Sequence, residues 1–218
     1  MRAAQPEFVA LTGVDRLECA PDLKDISNAF PNRVEFGVLV CKERFGTPRF
    51  PTLKTIKALA RSGLRVSAHI CGHDAERIFS GSDIDFDLSG FSRAQINLLH
   101  RHAASHEIEN AIRFGKTRGI RVIVQCAESY PAESRCDWLL DNSFGEGRLL
   151  GHVPDMSGTQ AFCGISGGLS PENIGAILQR AAPACAGRPF WIDAETALMK
   201  GGAFSPDACR AFLGEVFG

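Results

Sequence analysis

Several features that would assign this chain to a specialised class are missing from its 218 residues. It has no run of the roughly 18 apolar residues that a membrane-spanning helix needs. Its N-terminus, Met1–Glu7, lacks the apolar segment of a signal peptide. The formal net charge is -1, which argues against a nucleic-acid-binding surface. We therefore expect a cytoplasmic protein with neither a membrane nor a nucleic acid among its partners.

Motifs for metal, disulfide and dinucleotide binding are also missing. None of the eight cysteines forms a C-x-x-C pair, and several lie within apolar runs, so we expect reduced, buried thiols. His100, His102 and His106 lack a Glu-x-x-His pattern and are predicted to be solvated. The segment Leu11–Asp15 lacks the Gly-x-Gly-x-x-Gly turn that a dinucleotide-binding open sheet requires. No metal site is predicted.

Short apolar runs alternate with amphipathic segments along the whole chain. Strands that are continuous apolar runs are typical of parallel sheets covered by helices. Eight strands are predicted, at Phe8–Gly13, Val34–Cys41, Leu64–Cys71, Ala94–Leu99, Ile120–Cys126, Cys136–Asp141, a short run ending at Ile165, and Pro189–Asp193. Eight strand–helix units close into a (β/α)8 barrel, so a single compact TIM-barrel domain is predicted over residues 1–218. An open doubly wound sheet is the competing architecture.

Helices are predicted between most of these strands from apolar spacing and from capping residues. They cover Leu17–Phe30, Pro51–Ser62, His73–Phe79, Glu107–Thr117, a segment from Pro171 to about Ala182, and a last helix capped by Ser205 that ends near Phe217. The segment between the fifth and sixth strands is too short and too polar to predict a helix there.

The most informative stretch is Ser166-Gly-Gly-Leu-Ser-Pro-Glu172, after the seventh strand. Gly167 and Gly168 let the backbone approach a ligand closely, with Ser170 as predicted N-cap and Pro171 as the first helical residue. Free N–H groups and the positive end of a helix favour a bound phosphate. The alternative is a tight strand-to-helix turn in which the glycines serve only geometry.

In a (β/α)8 barrel the active site lies at the carboxyl ends of the strands. Asp141 ends an apolar strand, where a poorly solvated carboxyl group keeps its proton to higher pH and can act as a general acid; capping the next loop is the alternative. His69 lies mid-strand and is either catalytic or a hydrogen-bonded core residue. Asp193 ends the eighth strand, and either it binds or orients a substrate or its role is structural. The other strand-end candidates are Thr12, Cys41, Cys71, Asn97, Cys126 and Glu195.

The C-terminal half of the chain resembles phosphoribosylanthranilate isomerase, a barrel enzyme of tryptophan biosynthesis. The resemblance rests on four segments in the family's order and approximate spacing: Trp138–Asp141, Gly145–Gly147, Ser166–Ile174 and Trp191–Asp193. The N-terminal half matches weakly. Thr47-Pro-Arg49 is similar to the family's Ser-Pro-Arg loop, and Ala94-Gln-Ile-Asn97 is similar to its Gln-Leu-His strand.

The family converts a phosphorylated ribosylamine to an aminoketose without a cofactor, using a general-base cysteine and a general-acid aspartate. The resemblance places Asp141 at the acid's position but Thr12 at the base's, and a threonine hydroxyl has no accessible basic form at neutral pH. It makes Arg49 a possible phosphate ligand. Ala194-Glu-Thr-Ala197 stands where the family has a Ser-Ser-Gly stretch that helps to hold phosphate. Thr196 is therefore a candidate phosphate ligand, beside the negative charge of Glu195.

The sequence therefore predicts a cofactor-independent isomerase for a phosphorylated sugar or sugar-amine. Asp141 is its acid, and another group, such as His69 or Cys71, replaces Thr12 as base. Authentic phosphoribosylanthranilate isomerase activity is predicted to be absent or very weak. The alternatives are a non-catalytic barrel that binds a phosphorylated ligand, and a lyase or aldolase, although no strand-end lysine for a Schiff base is evident. The substrate, the base and the oligomeric state stay open.

Overall fold

The computed structural model describes residues 5–98, 101–141 and 150–218, and its eight parallel strands form a closed barrel. The strands follow one another around the barrel in chain order, and the first closes it against the eighth. They are β1 (Phe8–Thr12), β2 (Val34–Val40), β3 (Val66–Ile70), β4 (Arg93–Ile96), β5 (Arg121–Cys126), β6 (Asp137–Leu140), β7 (Cys163–Ile165) and β8 (Phe190–Ala194). The predicted (β/α)8 fold class is confirmed.

Six α-helices cover the outside of the barrel within the described residues. They are α1 (Ala20–Ala29), α2 (Leu53–Ala60), α3 (His73–Phe79), α4 (Ser105–Arg118), α5 (Ile174–Cys185) and α6 (Pro206–Phe217). The connection between β5 and β6 contains no α-helix, in agreement with its short, polar sequence. None of the helices in the described ranges is long and apolar enough to cross a membrane.

Local capping explains where several helices begin and end. The Thr52 hydroxyl accepts the N–H of Thr55 at the start of α2, and the predicted Ser205 cap accepts the N–H of Ala208 at the start of α6. Helix α4 ends where Gly119 adopts the left-handed conformation, with φ of 63°.

A short antiparallel hairpin after β8 was not predicted from the sequence. Its strands are β9 (Met199–Lys200) and β10 (Ala203–Phe204), joined through Gly201 and Gly202. Both glycines have positive φ, which a two-residue hairpin turn requires and other residues rarely adopt. The strands are two residues long, too short to give a pattern in the sequence.

The amino end of the barrel interior is filled by charged side chains that pair with one another. Arg93, the first residue of β4, donates to Glu35 at 2.8 Å and to Asp137 at 3.5 Å. Glu35 has no exposed surface and also accepts bonds from Arg65 (3.0 Å) and Ser92 (2.9 Å). Burial raises the pKa of the Glu35 carboxyl, but the charges of Arg93 and Arg65 and the hydrogen bonds from Arg93 and Ser92 together outweigh this effect and hold the pKa below its ordinary value.

Aromatic rings complete this end of the barrel. The Arg93 guanidinium lies 4.3 Å from the ring centroid of Trp191 and 4.9 Å from that of Phe8. The Trp191 ring fills space left by Gly164, because a Cβ atom there would lie 2.2 Å from the indole. The amino end is therefore closed, and the space for a ligand lies at the other end.

Three sequence predictions concern residues outside the described ranges. They are the predicted end of the fourth strand at Leu99, the solvation of His100, and the family segment Gly145–Gly147.

Candidate active site

A cavity of about 440 Å³ opens at the carboxyl ends of the strands. This is the end at which barrel enzymes place their active sites. Six of the eight predicted site residues line it: Arg49, Asp141, Gly167, Gly168, Asp193 and Thr196. Among the other strand-end candidates, Cys41, Cys71, Asn97 and Glu195 also line it.

Asp141 lies at the carboxyl end of β6 and is buried. Its backbone N–H donates to the carbonyl of Cys126 at 3.0 Å, which extends the pairing of β5 with β6 by one residue. The side-chain amide of Gln125 donates to the Asp141 carboxylate at 3.0 Å. This bond orients the carboxyl group on the wall of the cavity.

Asp193 lies two strands away on β8, is buried, and accepts a 2.7 Å hydrogen bond from the Thr12 hydroxyl. Burial raises the pKa of the Asp193 carboxyl to about 7, and the nearby charge of Asp141 acts in the same direction. The bond from Thr12 opposes this shift because it stabilises the charged form. Asp193 therefore changes protonation state near neutral pH while it faces the cavity.

Thr12 and His69 lie in the barrel interior and do not line the cavity. A Cβ atom at Gly37 would lie 2.2 Å from the Thr12 hydroxyl oxygen and 2.9 Å from His69 Nε2, so the glycine makes room for both. His69 Nε2 lies 3.2 Å from the Ser67 hydroxyl. Burial lowers the pKa of His69 to about 4, so its ring is neutral at pH 7. This placement matches the alternative of a hydrogen-bonded core histidine.

The glycine turn after β7 adopts a backbone conformation that other residues rarely take. Gly167 and Gly168 both have positive φ, at 100° and 59°. The predicted helix start is wrong, because α5 begins at Ile174 with Asn173 as its N-cap. The Asn173 side chain accepts the N–H of Ser170 at 2.9 Å and donates to the carbonyl of Gly168 at 2.8 Å. These two bonds hold Ser170 outside the helix, so the turn is longer than the sequence indicated.

Arg49 and Glu195 form an ion pair beside the cavity, between the loop after β2 and the loop after β8. Arg49 is a non-glycine residue with φ of 71°, a conformation that is costly for such residues and often found at functional sites. Its Nε is buried without a hydrogen-bond partner. The Glu195 carboxylate is thus paired with the Arg49 guanidinium, the group that the resemblance implies as a phosphate ligand.

Two amide oxygens near the cavity also lack partners. Asn97 Oδ1 and Gln125 Oε1 are buried and accept no hydrogen bond, although both residues line the cavity. Gln125 was missed by the sequence analysis, which selected its neighbour Cys126. Side chains alternate between the two faces of a strand, and Gln125 faces inward while Cys126 packs in the core.

The cavity cysteines are poor candidates for a base or a metal site. Burial raises the pKa of Cys71 to about 12, so little thiolate exists at neutral pH. The Cys41 thiol donates to Glu43 at 3.2 Å. Within the described ranges, no group of three or more His, Cys, Asp or Glu residues is placed to hold a metal ion.

No protein-family model and no curated protein matches this sequence. Solved structures do. The chain is 18% identical to phosphoribosylanthranilate isomerase from Thermus thermophilus, with a TM-score of 0.57 over 95% of this chain and 97% of that one. The enzyme from Thermococcus kodakaraensis is 17% identical, with a TM-score of 0.58 over 97% and 99%. The enzyme from Pyrococcus furiosus is 16% identical, with a TM-score of 0.59 over 96% and 98%.

The fold is that of phosphoribosylanthranilate isomerase. At this identity the likeness shows the fold alone, so the resemblance drawn from the motifs is confirmed for the architecture. The motif resemblance departs from the family pattern at Thr12, Asn97 and Glu195. In the structure, the Thr12 hydroxyl bonds to Asp193 inside the barrel, Asn97 lines the cavity, and Glu195 is paired with Arg49.

Proposed function

We propose that this protein isomerises a phosphorylated sugar or sugar-amine in the cavity, with Asp141 as general acid and Asp193 as general base. The observation that carries the proposal is the Asp193 carboxyl group. It faces the cavity, lies 2.7 Å from the hydroxyl of Thr12, and has a pKa of about 7 because it is buried. A carboxylate thus stands next to the position at which the family places its cysteine base. The basic function moves from β1 to the neighbouring strand β8.

Asp141 supplies the acid step in this proposal. Its proton goes to the ring oxygen of the sugar, and the bond between that oxygen and carbon 1 breaks, which opens the ring. A lone pair of the oxygen or nitrogen attached to carbon 1 forms a double bond to that carbon in the same step, and an anomeric hydroxyl group loses its proton. The bond from Gln125 orients the carboxyl group for this transfer. General acid catalysis of this kind contributes about 10²- to 10⁴-fold to a rate.

Asp193 supplies the base step. Its carboxylate removes the proton from carbon 2 of the open chain, and the electron pair of that bond forms the double bond between carbons 1 and 2. A carboxylate with a pKa near 7 binds a proton more strongly than an ordinary one and suits proton abstraction near neutral pH. Return of a proton to carbon 1 completes the isomerisation.

The phosphate group of the substrate binds, in this proposal, at the Gly167–Gly168 turn. The positive φ values of both glycines permit close approach, and the unpartnered Nε of Arg49 supplies a charged donor. Thr196 lines the same cavity and supplies a hydroxyl. The negative charge of Glu195 opposes anion binding for as long as its carboxylate is paired with the Arg49 guanidinium.

The test is proton exchange at carbon 2 in heavy water, followed by proton NMR with ribose 5-phosphate, glucosamine 6-phosphate and phosphoribosylanthranilate. We expect exchange with at least one of the first two and little or none with the third. Asp141→Asn and Asp193→Asn should each lower the rate by about 10²- to 10⁴-fold. Asp25→Asn, an exposed change on α1, is the matched control and should leave the rate unchanged.

A non-catalytic barrel that binds a phosphorylated ligand is the second candidate. Two observations favour it: Thr12 occupies the family's base position, and Arg49 is already paired with Glu195. If the sugar phosphates bind but the proton at carbon 2 does not exchange, the result would support the non-catalytic barrel. A Schiff-base aldolase has less support, because no lysine is among the described residues that line the cavity.

A further inference from the structure

The inference begins from the two amide oxygens that lack partners, Asn97 Oδ1 and Gln125 Oε1. Gln125 is only 8% exposed, and both residues line the cavity. Buried acceptors in folded proteins are nearly always paired, because leaving them unpaired is unfavourable. Two unpaired acceptors at a ligand cavity therefore indicate a ligand that donates hydrogen bonds.

The backbone places the two amides side by side. Ile96 pairs with Val124 across β4 and β5, so Asn97 and Gln125 are the next neighbours along the same two strands. The amide nitrogen of Gln125 donates to Asp141 at 3.0 Å. Because the nitrogen of the Gln125 amide is bonded to Asp141, the oxygen of the same amide points away from that residue. The oxygen is left to accept from another group.

The charged groups near Asn97 and Gln125 indicate which kind of hydrogen-bond donor on the ligand would bind there. Asp193 and Asp141 stand on neighbouring walls of the same cavity. Within the described ranges, two guanidinium groups line the cavity, and one of them, Arg49, is paired with Glu195. The other, Arg44, lies over the ring of Phe50 at 4.0 Å. A carboxylate or a second phosphate on the ligand would meet like charge and acceptors here, whereas an ammonium group would meet opposite charge and acceptors.

We propose that Asn97 and Gln125 form a subsite for an amino group of the ligand, so that this barrel prefers amino sugars that carry a single phosphate. The proposal rests on the proposed function for the phosphate end and specifies the chemistry of the other end. The phosphate lies at the Gly167–Gly168 turn, and the amino group lies between β4 and β5. Neither residue gives or takes a proton in the reaction.

Calorimetric titration of the wild-type protein with matched ligand pairs tests the proposal. The first pair is glucosamine 6-phosphate and glucose 6-phosphate, and the second is 1-amino-1-deoxyribulose 5-phosphate and ribulose 5-phosphate. Each pair differs only by an amino group in place of a hydroxyl. We expect about tenfold tighter binding of the amine in at least one pair, as for a hydrogen bond to a charged group. Equal affinities in both pairs would overturn the inference and leave the phosphate site intact.

Variants at Asn97 give the inference a second readout. Asn97→Asp keeps the shape and supplies only acceptors, so it should increase the preference for the amine. Asn97→Leu removes the acceptor and should abolish that preference while both sugar phosphates still bind. A loss of amine preference in Asn97→Asp would contradict the inference, because it would mean that Asn97 donates to the ligand. Asn28→Asp, an exposed change on α1, is the control for added charge.

Unphosphorylated glucosamine separates the two proposals. If it binds as tightly as glucosamine 6-phosphate, the amino subsite stands and the phosphate site of the proposed function fails. If neither sugar phosphate nor glucosamine binds, both proposals fail.

Discussion

The two ends of this barrel treat buried polar groups in opposite ways. At the amino end, Glu35 and Asp137 are paired with Arg93, and Glu35 accepts further bonds from Arg65 and Ser92. At the carboxyl end, polar atoms of three residues that line the cavity lack any partner: Arg49 Nε, Asn97 Oδ1 and Gln125 Oε1. The protein completes one set of hydrogen bonds itself and leaves the other incomplete.

This difference indicates that the amino end of the barrel interior serves stability and that the carboxyl end serves ligand binding. A buried charge without its partner is strongly destabilising, so a paired network at the amino end holds the strands together only while every member is present. Unpaired groups at the carboxyl end lower stability but keep their hydrogen-bonding capacity for a ligand. The comparison therefore predicts large stability effects at the amino end and mainly functional effects at the carboxyl end.

The largest effect is expected from Arg93→Met. This change removes the one buried arginine of the network and leaves the buried Glu35 and Asp137 carboxyl groups paired only with the partly exposed Arg65 and Arg121. We expect the free energy of unfolding, measured by urea denaturation, to fall by about 3–5 kcal/mol. Arg210→Met is the control, because Arg210 is 40% exposed and its partners Asp22 and Asp207 are 45% and 94% exposed, so these solvated pairs should contribute about 1 kcal/mol or less. Equal losses for the two variants would mean that the buried network has no special role.

Asp193→Asn should have opposite effects on stability and on activity. The folded-state pKa of Asp193 is raised to about 7, so between about pH 4 and pH 7 the folded state binds more protons than the unfolded state. Stability of the wild type therefore falls as pH rises through this window, by up to about 4 kcal/mol for a shift of this size. Asp193→Asn should lack this fall.

To test this, the thermal unfolding of the wild type and of Asp193→Asn is measured from pH 4 to pH 8.5. The variant should be the more stable protein above pH 7, and the difference should shrink towards pH 4. Parallel pH profiles for the two proteins would show that Asp193 is not protonated in the folded state at neutral pH.

Glu195→Gln should strengthen anion binding with little change in stability. The substitution removes the carboxylate that occupies the Arg49 guanidinium and leaves the backbone of the glycine turn unchanged. We expect the dissociation constant for inorganic phosphate, measured by calorimetry, to fall by about tenfold, the equivalent of about 1.4 kcal/mol. Glu43→Gln is the matched control, because Glu43 lines the same cavity but bonds to Cys41 instead. The same gain in both variants would point to a general charge effect.

Thr12→Val should give the smallest effect. It removes the hydroxyl that donates to Asp193 and stabilises the charged carboxylate, so the pKa of Asp193 should rise further above 7. The rising limb of the pH–rate profile for carbon 2 exchange should move to higher pH by about one unit or less. Thr12→Ser keeps the donor and should leave the profile in place. A shift of the profile to lower pH in Thr12→Val would exclude Asp193 as the base.

The sequence predicted the parts of this molecule that depend on local pattern. Continuous apolar runs such as Val34–Val40 identify parallel strands because both faces of the strand are buried in a barrel. The acid candidate Asp141 and the turn at Gly167 and Gly168 could be predicted because each directly follows a strand. All three of these residues line the cavity, as their positions at strand ends implied.

Two predictions from local pattern were misleading, for different reasons. Pro171 has the features of a first helical residue, but the nearby Asn173 bonds to Ser170 and Gly168, and the helix begins at Ile174. The hydroxyl of Thr12 lies at a strand end like the others, but it bonds to Asp193 inside the barrel. Thr12 and Asp193 are 181 residues apart, so that contact has no signature in the sequence around Thr12.

The sequence by itself therefore determined the fold class and the end of the barrel at which the cavity lies, and it supplied the acid candidate. These follow from the order of apolar runs and from the residue at each strand end, which are properties of short segments. Only the tertiary structure decided how Asp193 is buried beside Thr12, that Glu195 pairs with Arg49, and that Gln125 faces inward with an unpaired oxygen. These depend on contacts between segments far apart in the chain, where strand register and burial set the charge and hydrogen bonding of each group.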